Sequence, residues 1–148
     1  MVCVMYQNIL VPVNGTDVSK TAIPHALELA SKHDAAVHSL CAYSREGGYG
    51  SLSVKSTERH EENLQARAEE IASEVVDRAQ EHGINAVSAT SSGDPTDSIL
   101  SYIEEKNIDI VVIGTQKRSR TGKLLFGSTT QGVILHADIP VVVTGSSS

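Results

Sequence analysis

Twelve residues, TQKRSRTGKLLF, lie between Gly114 and Gly127, and they include Lys117, Arg118, Arg120 and Lys123. Four of the chain's 12 Lys and Arg thus fall in one short stretch of a protein with a formal net charge of −6. The stretch leaves the apolar run Ile108–Ile113 (IDIVVI) and ends at Gly127-Ser128, where a helical pattern begins. The first N–H groups of a helix lack partners and sit at the positive end of its dipole, so they favour an anion. With cations and a hydroxyl close by, the chemistry expected there is phosphate binding. The plainer reading is a solvated connector with Ser128 as a capping residue. Gly15-Thr16, together with Lys117 and Arg118, could also hold a free phosphate or sulfate. A Walker loop is excluded, because position 117 is Lys where that motif needs Gly, and position 124 is Leu where it needs Ser or Thr. No G-x-G-x-x-G follows the first apolar run.

Other reactive residue types are spread too thinly to make a site. The six histidines include no H-E-x-x-H and no Cys/His pairing with metal-ligand spacing. His33, His82 and His136 fall near expected helix C-termini, where an imidazolium suits the dipole. Cys41 lies in an apolar segment without a partner and reads as a small core residue. Asp17 and Asp94, beside turns, read as caps, and no nucleophile elbow or triad is visible. The catalytic residue set is therefore empty.

The elements that must position the loop alternate in type. Asn8–Val13 (NILVPV) reads as a strand buried on both faces, then a turn at Asn14-Gly15-Thr16. Thr21–Lys32 is helical, with Pro24 tolerated in the first turn. Ala36–Tyr43 is a second strand, and residues 44–57, rich in Gly and Ser, read as a flexible loop. A long helix runs from about Glu58 to His82, with Leu64, Ala68, Ile71, Val75 and Ala79 on one stripe and Gly83 closing it. A weak strand at about Asn85–Ser91 precedes Asp94-Pro95, an N-cap and first helical residue. Ile108–Ile113 is the fourth strand. Ser128-Thr129-Thr130-Gln131 has capping-box spacing at the start of the last helix. Pro140–Thr144 (PVVVT) is the final strand, and residues 145–148 form a tail. Five strands alternating with four helices imply one doubly wound α/β domain over residues 1–148, with a parallel sheet covered on both faces. Such sheets bind ligands at the carboxyl ends of strands, where the winding direction switches.

Composition narrows the partners. With 40% hydrophobic residues, 20% charged and 148 residues in all, one core is expected and disorder is not. Aromatics are only 3%, which argues against base-stacking nucleic-acid modules, and the acidic balance argues against anionic membranes. No apolar run approaches a membrane span, and MVCVMYQN lacks the pattern of a signal peptide, so a cytoplasmic location is expected.

The loop resembles the glycine signature of the universal stress protein family, G-x2-G-x9-G-[ST]. Here it stands as Gly114-x2-Lys117-x9-Gly127-Ser128, with Lys at the middle glycine. Ile9–Thr16 (ILVPVNGT) is similar to the family's first strand and turn, Gly93-Asp94-Pro95 to its G-x-P, and Asp109–Gly114 and Ile139–Val143 to its fourth and fifth strands. The resemblance implies a Rossmann-like sheet of order 3-2-1-4-5, of the adenine nucleotide alpha hydrolase-like type. It further implies the ATP-binding subgroup, with ATP or AMP as ligand, Mg²⁺ or Mn²⁺ carried by the nucleotide, and a regulatory role exerted through an unidentified protein partner. Pro12, Val13 and Asn14 would then flank the adenine, with Gly15 and Thr16 completing the turn, and Ala42 would meet the base through its backbone. Ile113, Gly114, Lys117, Arg118, Gly127, Ser128 and Thr129 would wrap the ribose and phosphates. Asn14 stands where nucleotide-binding members have Asp, keeping one carbonyl acceptor and adding donors. Lys117 offers an ammonium where Gly offers close backbone approach. The family also implies a homodimer through Pro140–Thr144, and three valines on an open sheet edge give that pairing a physical motive. The alternatives are a nucleotide-free dimeric scaffold, a simple anion-binding variant and, ranked below them, a slow ATPase.

Overall fold

A computed structural model describes residues 5–44, 61–116, 118–120 and 123–146. The strands β1 (Asn8–Pro12), β2 (Ala36–Tyr43), β3 (Ala86–Ser92), β4 (Ile110–Gln116) and β7 (Val141–Ser146) form a five-stranded sheet. Its order is β3-β2-β1-β4-β7, and every pairing is parallel. This is the expected 3-2-1-4-5 arrangement. The expected helices are α2 (Ala22–His33), α3 (Glu61–Glu81), α4 (Pro95–Glu105) and α5 (Ser128–His136). Two additions carried no periodic signal: the single-turn helix α1 (Asp17–Lys20) and an antiparallel ribbon, β5 (Arg118–Arg120) with β6 (Lys123–Leu125). The final strand reaches Ser146, two residues into the stretch expected as a tail. Most of the expected 44–57 loop lies outside the described residues.

Strand alternation sorts the core into two layers. From β1, Ile9 and Val11 point to one face and pack with Ile23, Leu27, Leu64 and Val75 of α2 and α3. Leu10 points to the other, with Leu40, Val111 and Ile113 against Ile99 and Val133 of α4 and α5. The buried Ser39 hydroxyl donates to Ala72 O (2.7 Å), which satisfies a polar group inside the first layer. At the amino ends of the strands, Asp109 Oδ2 accepts from the N–H groups of Gln7 (2.8 Å) and Asn8 (2.9 Å) and so ties the start of β1 beside β4. His38 lies between Tyr102 Oη (2.8 Å, to Nδ1) and Asn8 Oδ1 (3.1 Å, to Nε2), a closed polar chain from β2 to α4 and β1.

Helix ends follow local chemistry. Asp94 caps α4 by accepting from Asp97 N–H (3.0 Å), as its position before Pro95 implies. Asp17 is no cap, because Thr16 holds that place and Asp17 is the first residue of α1. Ser128 is likewise inside its helix. The cap of α5 is Gly127, with extended backbone (φ −62, ψ 158) and no side-chain capping bond, so the S-x-x-Q spacing forms no capping box. Among the described residues, no helix is long and apolar enough to cross a membrane.

The connections put α2 and α3 on one face and α4 and α5 on the other, so the winding reverses between β1 and β4. A crevice is expected at their carboxyl ends.

Candidate functional site: a cleft at the carboxyl ends of β1 and β4

That crevice is a cleft of about 610 Å³, a size that suits a small organic ligand. One wall is the exit from β1. Val13 N–H donates to Leu40 O (2.9 Å), the last bond of the β1–β2 ladder, and the chain then turns. Asn14 Oδ1 accepts from Thr16 N–H (3.1 Å) and from the Thr16 hydroxyl (2.6 Å). Thr16 Oγ1 in turn accepts from Ser19 N–H (3.1 Å), capping α1. Ser19 Oγ donates to Thr16 O (2.9 Å) and accepts from Asn14 N–H (3.2 Å). Five bonds thus lock three residues, Asn14, Thr16 and Ser19, so the turn is set before any ligand arrives. Gly15 sits inside it at φ +86 with its α-carbon against Ile71 of α3, where a Cβ would lie 2.8 Å from Ile71 Cδ1.

The β2 wall contributes backbone. In the parallel register Leu40 faces β1, so Ala42, two residues on, directs its N–H and C=O the same way. By then β1 has turned off, and those two groups face the cleft. Leu40, Ile99 and Phe126 add apolar surface alongside.

The β4 wall shows what the first signature glycine does. A Cβ on Gly114 would collide with Val18 O, lie 2.8 Å from Thr21 Oγ1 and 3.1 Å from Ser19 Cα. Gly114 therefore lets α1 rest directly on β4. The next residue, Thr115, is buried, and its Oγ1 accepts from Gly127 N–H (3.2 Å), fastening the far end of the basic loop to the strand. Beyond it, Ser128, Thr129 and Thr130 form the first turn of α5 along the cleft, and Gly127 supplies no side chain to close it.

Of the residues singled out by sequence, Pro12, Val13, Asn14, Thr16, Ala42, Ile113, Gly114, Gly127, Ser128 and Thr129 line this one cleft. Gly15 belongs to the same turn but faces α3. Arg118 begins the ribbon β5, and Lys117 lies outside the described residues. Sequence reasoning missed Leu40, Ser19, Pro95, Ile99, Thr115 and Phe126, which also line it. Phe126, next to Gly127, had a signal as the chain's single Phe, and Pro95 had one as the end of Gly93-Asp94-Pro95.

The remaining reactive groups stand apart from the cleft. Burial pushes the Cys41 thiol up to about 12, so it stays protonated and inert in the core. Burial, and secondarily the charge of Lys106, lowers the His38 pKa below 6.5, and burial raises that of Tyr102. Among the described residues, no group of three or more His, Cys, Asp or Glu side chains could hold a metal ion.

Comparison with known proteins gives a uniform result. The model of the universal stress protein family matches residues 5–145. A universal stress protein of Methanocaldococcus jannaschii is 30% identical over 139 residues, covering 94% of this chain and 82% of that protein. Universal stress protein G of Escherichia coli O157:H7 is 32% identical over 145 residues, covering 94% and 99%. Among solved structures, a universal stress protein of Archaeoglobus fulgidus superposes with a TM-score of 0.73 at 28% identity, covering 93% of this chain and 98% of that one. Two more distant structures share the fold. One from Archaeoglobus fulgidus is in complex with dAMP (TM-score 0.68, 22% identity, covering 94% and 98%). One from Arabidopsis thaliana has AMP bound (TM-score 0.69, 19% identity, covering 96% and 92%).

Proposed function

The chain belongs to the universal stress protein family, and on that premise we propose that it is a homodimeric regulatory protein whose cleft binds ATP or AMP without rapid turnover. The observation that carries this reading is the meeting, in one cleft of about 610 Å³, of a backbone edge and an open helix N-terminus. The N–H and C=O of Ala42, beside the apolar side chains of Val13 and Leu40, suit the edge and faces of a nucleobase. The first turn of α5, whose N-cap Gly127 has no side chain to close it, suits phosphate. Asn14, one residue past the bond from Val13 N–H to Leu40 O, lines the same cleft. The bound dAMP and AMP of the two distant structures support a nucleotide as occupant.

Binding is favoured over hydrolysis because no Asp or Glu is among the described residues lining the cleft. Hydrolysis calls for a group that orients the attacking water and for acidic metal ligands. Mg²⁺ or Mn²⁺ would arrive on the phosphates of the nucleotide. A change in the first turn of α5 on ligand binding would alter the surface shown to a protein partner. For the dimer, β7 is the sheet edge, and Ile134 and Leu135 of α5 are exposed beside it.

The test is to denature the purified protein and analyse the released small molecules by mass spectrometry, then titrate the emptied protein with Mg-ATP and with AMP by calorimetry. Near one adenine nucleotide per chain, or a saturating titration, is expected. No co-purified nucleotide together with flat titrations would overturn the reading in favour of the nucleotide-free scaffold.

A further inference from the structure

The turn after β1 has a hydrogen-bond polarity that bears on which purine the cleft takes. Asn14 Oδ1 accepts twice from Thr16, from its N–H (3.1 Å) and its hydroxyl (2.6 Å). An amide oxygen has two lone pairs, so both are used. The backbone N–H of Thr16 also fixes which way the amide faces, because the opposite orientation would set donor against donor. Thr16 cannot readily turn away, since its oxygen holds Ser19 N–H as the cap of α1. What Asn14 has left is Nδ2 with its two N–H donors, which make no hydrogen bond to a described residue. Asn14 follows Val13, whose N–H bonds Leu40 O two residues before Ala42, and both Asn14 and Ala42, with its one backbone donor and one acceptor, line the cleft.

We infer that Asn14 determines specificity by presenting only donors to the ligand, so that the cleft favours a purine nucleotide with an oxygen at position 6 over one with an amino group there. This rests on the reading of the cleft as a purine-nucleotide site and changes its preferred base from adenine to a 6-oxo purine. The N6 amino group of adenine would meet Nδ2 donor to donor, whereas O6 of hypoxanthine accepts from it. The ring N1 differs too, accepting in adenine and donating in hypoxanthine, but Ala42 carries a partner for either. The choice therefore falls to position 14. Asp in this place would take the Thr16 bonds on one oxygen and turn the other, an acceptor, to the ligand. The same scaffold would then read the amino group.

The experiment is calorimetric titration of the full chain with Mg-ITP and Mg-ATP, in the wild type and in Asn14→Asp. The wild type is expected to bind ITP about tenfold more tightly than ATP, the scale of one unmade hydrogen bond at a partly desolvated site. Asn14→Asp is expected to reverse the order. Circular dichroism checks that the variant is folded. Should it not be, Asn14→Ala, which has neither group, is expected to bring the two affinities within about twofold of each other. If both nucleotides bind and their ratio is the same in wild type and variant, the inference is overturned and the nucleotide reading stands. If neither binds the wild type, both are overturned.

Discussion

Replacing Gly114 by Ala tests whether the first signature glycine serves packing or ligand approach. The added methyl would meet Val18 O, Thr21 Oγ1 at 2.8 Å and Ser19 Cα at 3.1 Å, where ordinary carbon contacts begin near 3.4 Å. Two of those three atoms are backbone, so relief requires α1 to move as a body and not one side chain to rotate. Overpacking a tight site costs about 1–3 kcal/mol, and a backbone clash belongs at the upper end, about 3 kcal/mol. At roughly 2–4 °C per kcal/mol for a chain of this size, the melting temperature should fall by roughly 6–12 °C. Displacing α1 also disturbs the Thr16 cap and the turn holding Asn14, so ligand affinity should drop with stability. Gly127→Ala is the matched control. Its methyl would meet only Thr115 Oγ1, at 3.5 Å, and its φ of −62 suits any residue. It should cost less than about 1 kcal/mol, the scale of a poorer N-cap. Urea denaturation with thermal melts reads both. Gly114→Ala within about 0.5 kcal/mol of wild type, or Gly127→Ala equally damaging, would refute the packing assignment.

Two further outcomes are expected. His38, half-buried and neutral between Tyr102 and Asn8, has its pKa lowered, so the unfolded chain takes up the proton first. Its contribution is then complete above pH 6.5 and is lost as pH falls through 6.5 toward the lower folded value. The stability gap between wild type and His38→Gln should therefore shrink from pH 7.5 to 5.5, and a gap independent of pH would refute this. In β7, Val142 exchanges its bonds with β4, so Val143 points its N–H outward, and Val143→Pro should convert a dimer to a monomer in light scattering. A variant still dimeric would mean that the copies pair elsewhere.

The fold was legible wherever burial imposes a pattern. Ile9–Val11 and Val111–Ile113 are apolar at every position because both faces of a central parallel strand are covered, and that is visible in a bare sequence. The strands β5 and β6 were not legible, since three residues are too few to show a period. Helix α1 is equally silent: a single turn has no stripe, and what builds it is the Thr16 cap and the flat surface of Gly114. The start of the last helix was misread by one residue because side-chain spacing reports a capping box only when the backbone of the Ser is the extended residue, and here that residue is Gly127. At the site, the two glycine-bearing turns were found because turns demand particular residues. Leu40, Ile99 and Phe126 come from elements far apart in sequence and share a wall only after folding. The polarity of Asn14 was hidden for a related reason, since the residue that saturates its oxygen is known only once the turn is closed.

The place of β1 in the sheet has a consequence for how the protein is made. The strand of this sheet that is made first, β1, lies between β2 and β4, and the Asp109 carboxylate that fixes its start is 102 residues downstream of Gln7. At about 5–20 residues per second, β1 waits roughly 5–20 s for that neighbour. In the interval β1, β2 and β3 can assemble under α2 and α3, but the opposite face of β1, with Leu10, stays bare. The cleft, whose lining runs from Pro12 to Thr130, has both its walls only after most of the chain has been made.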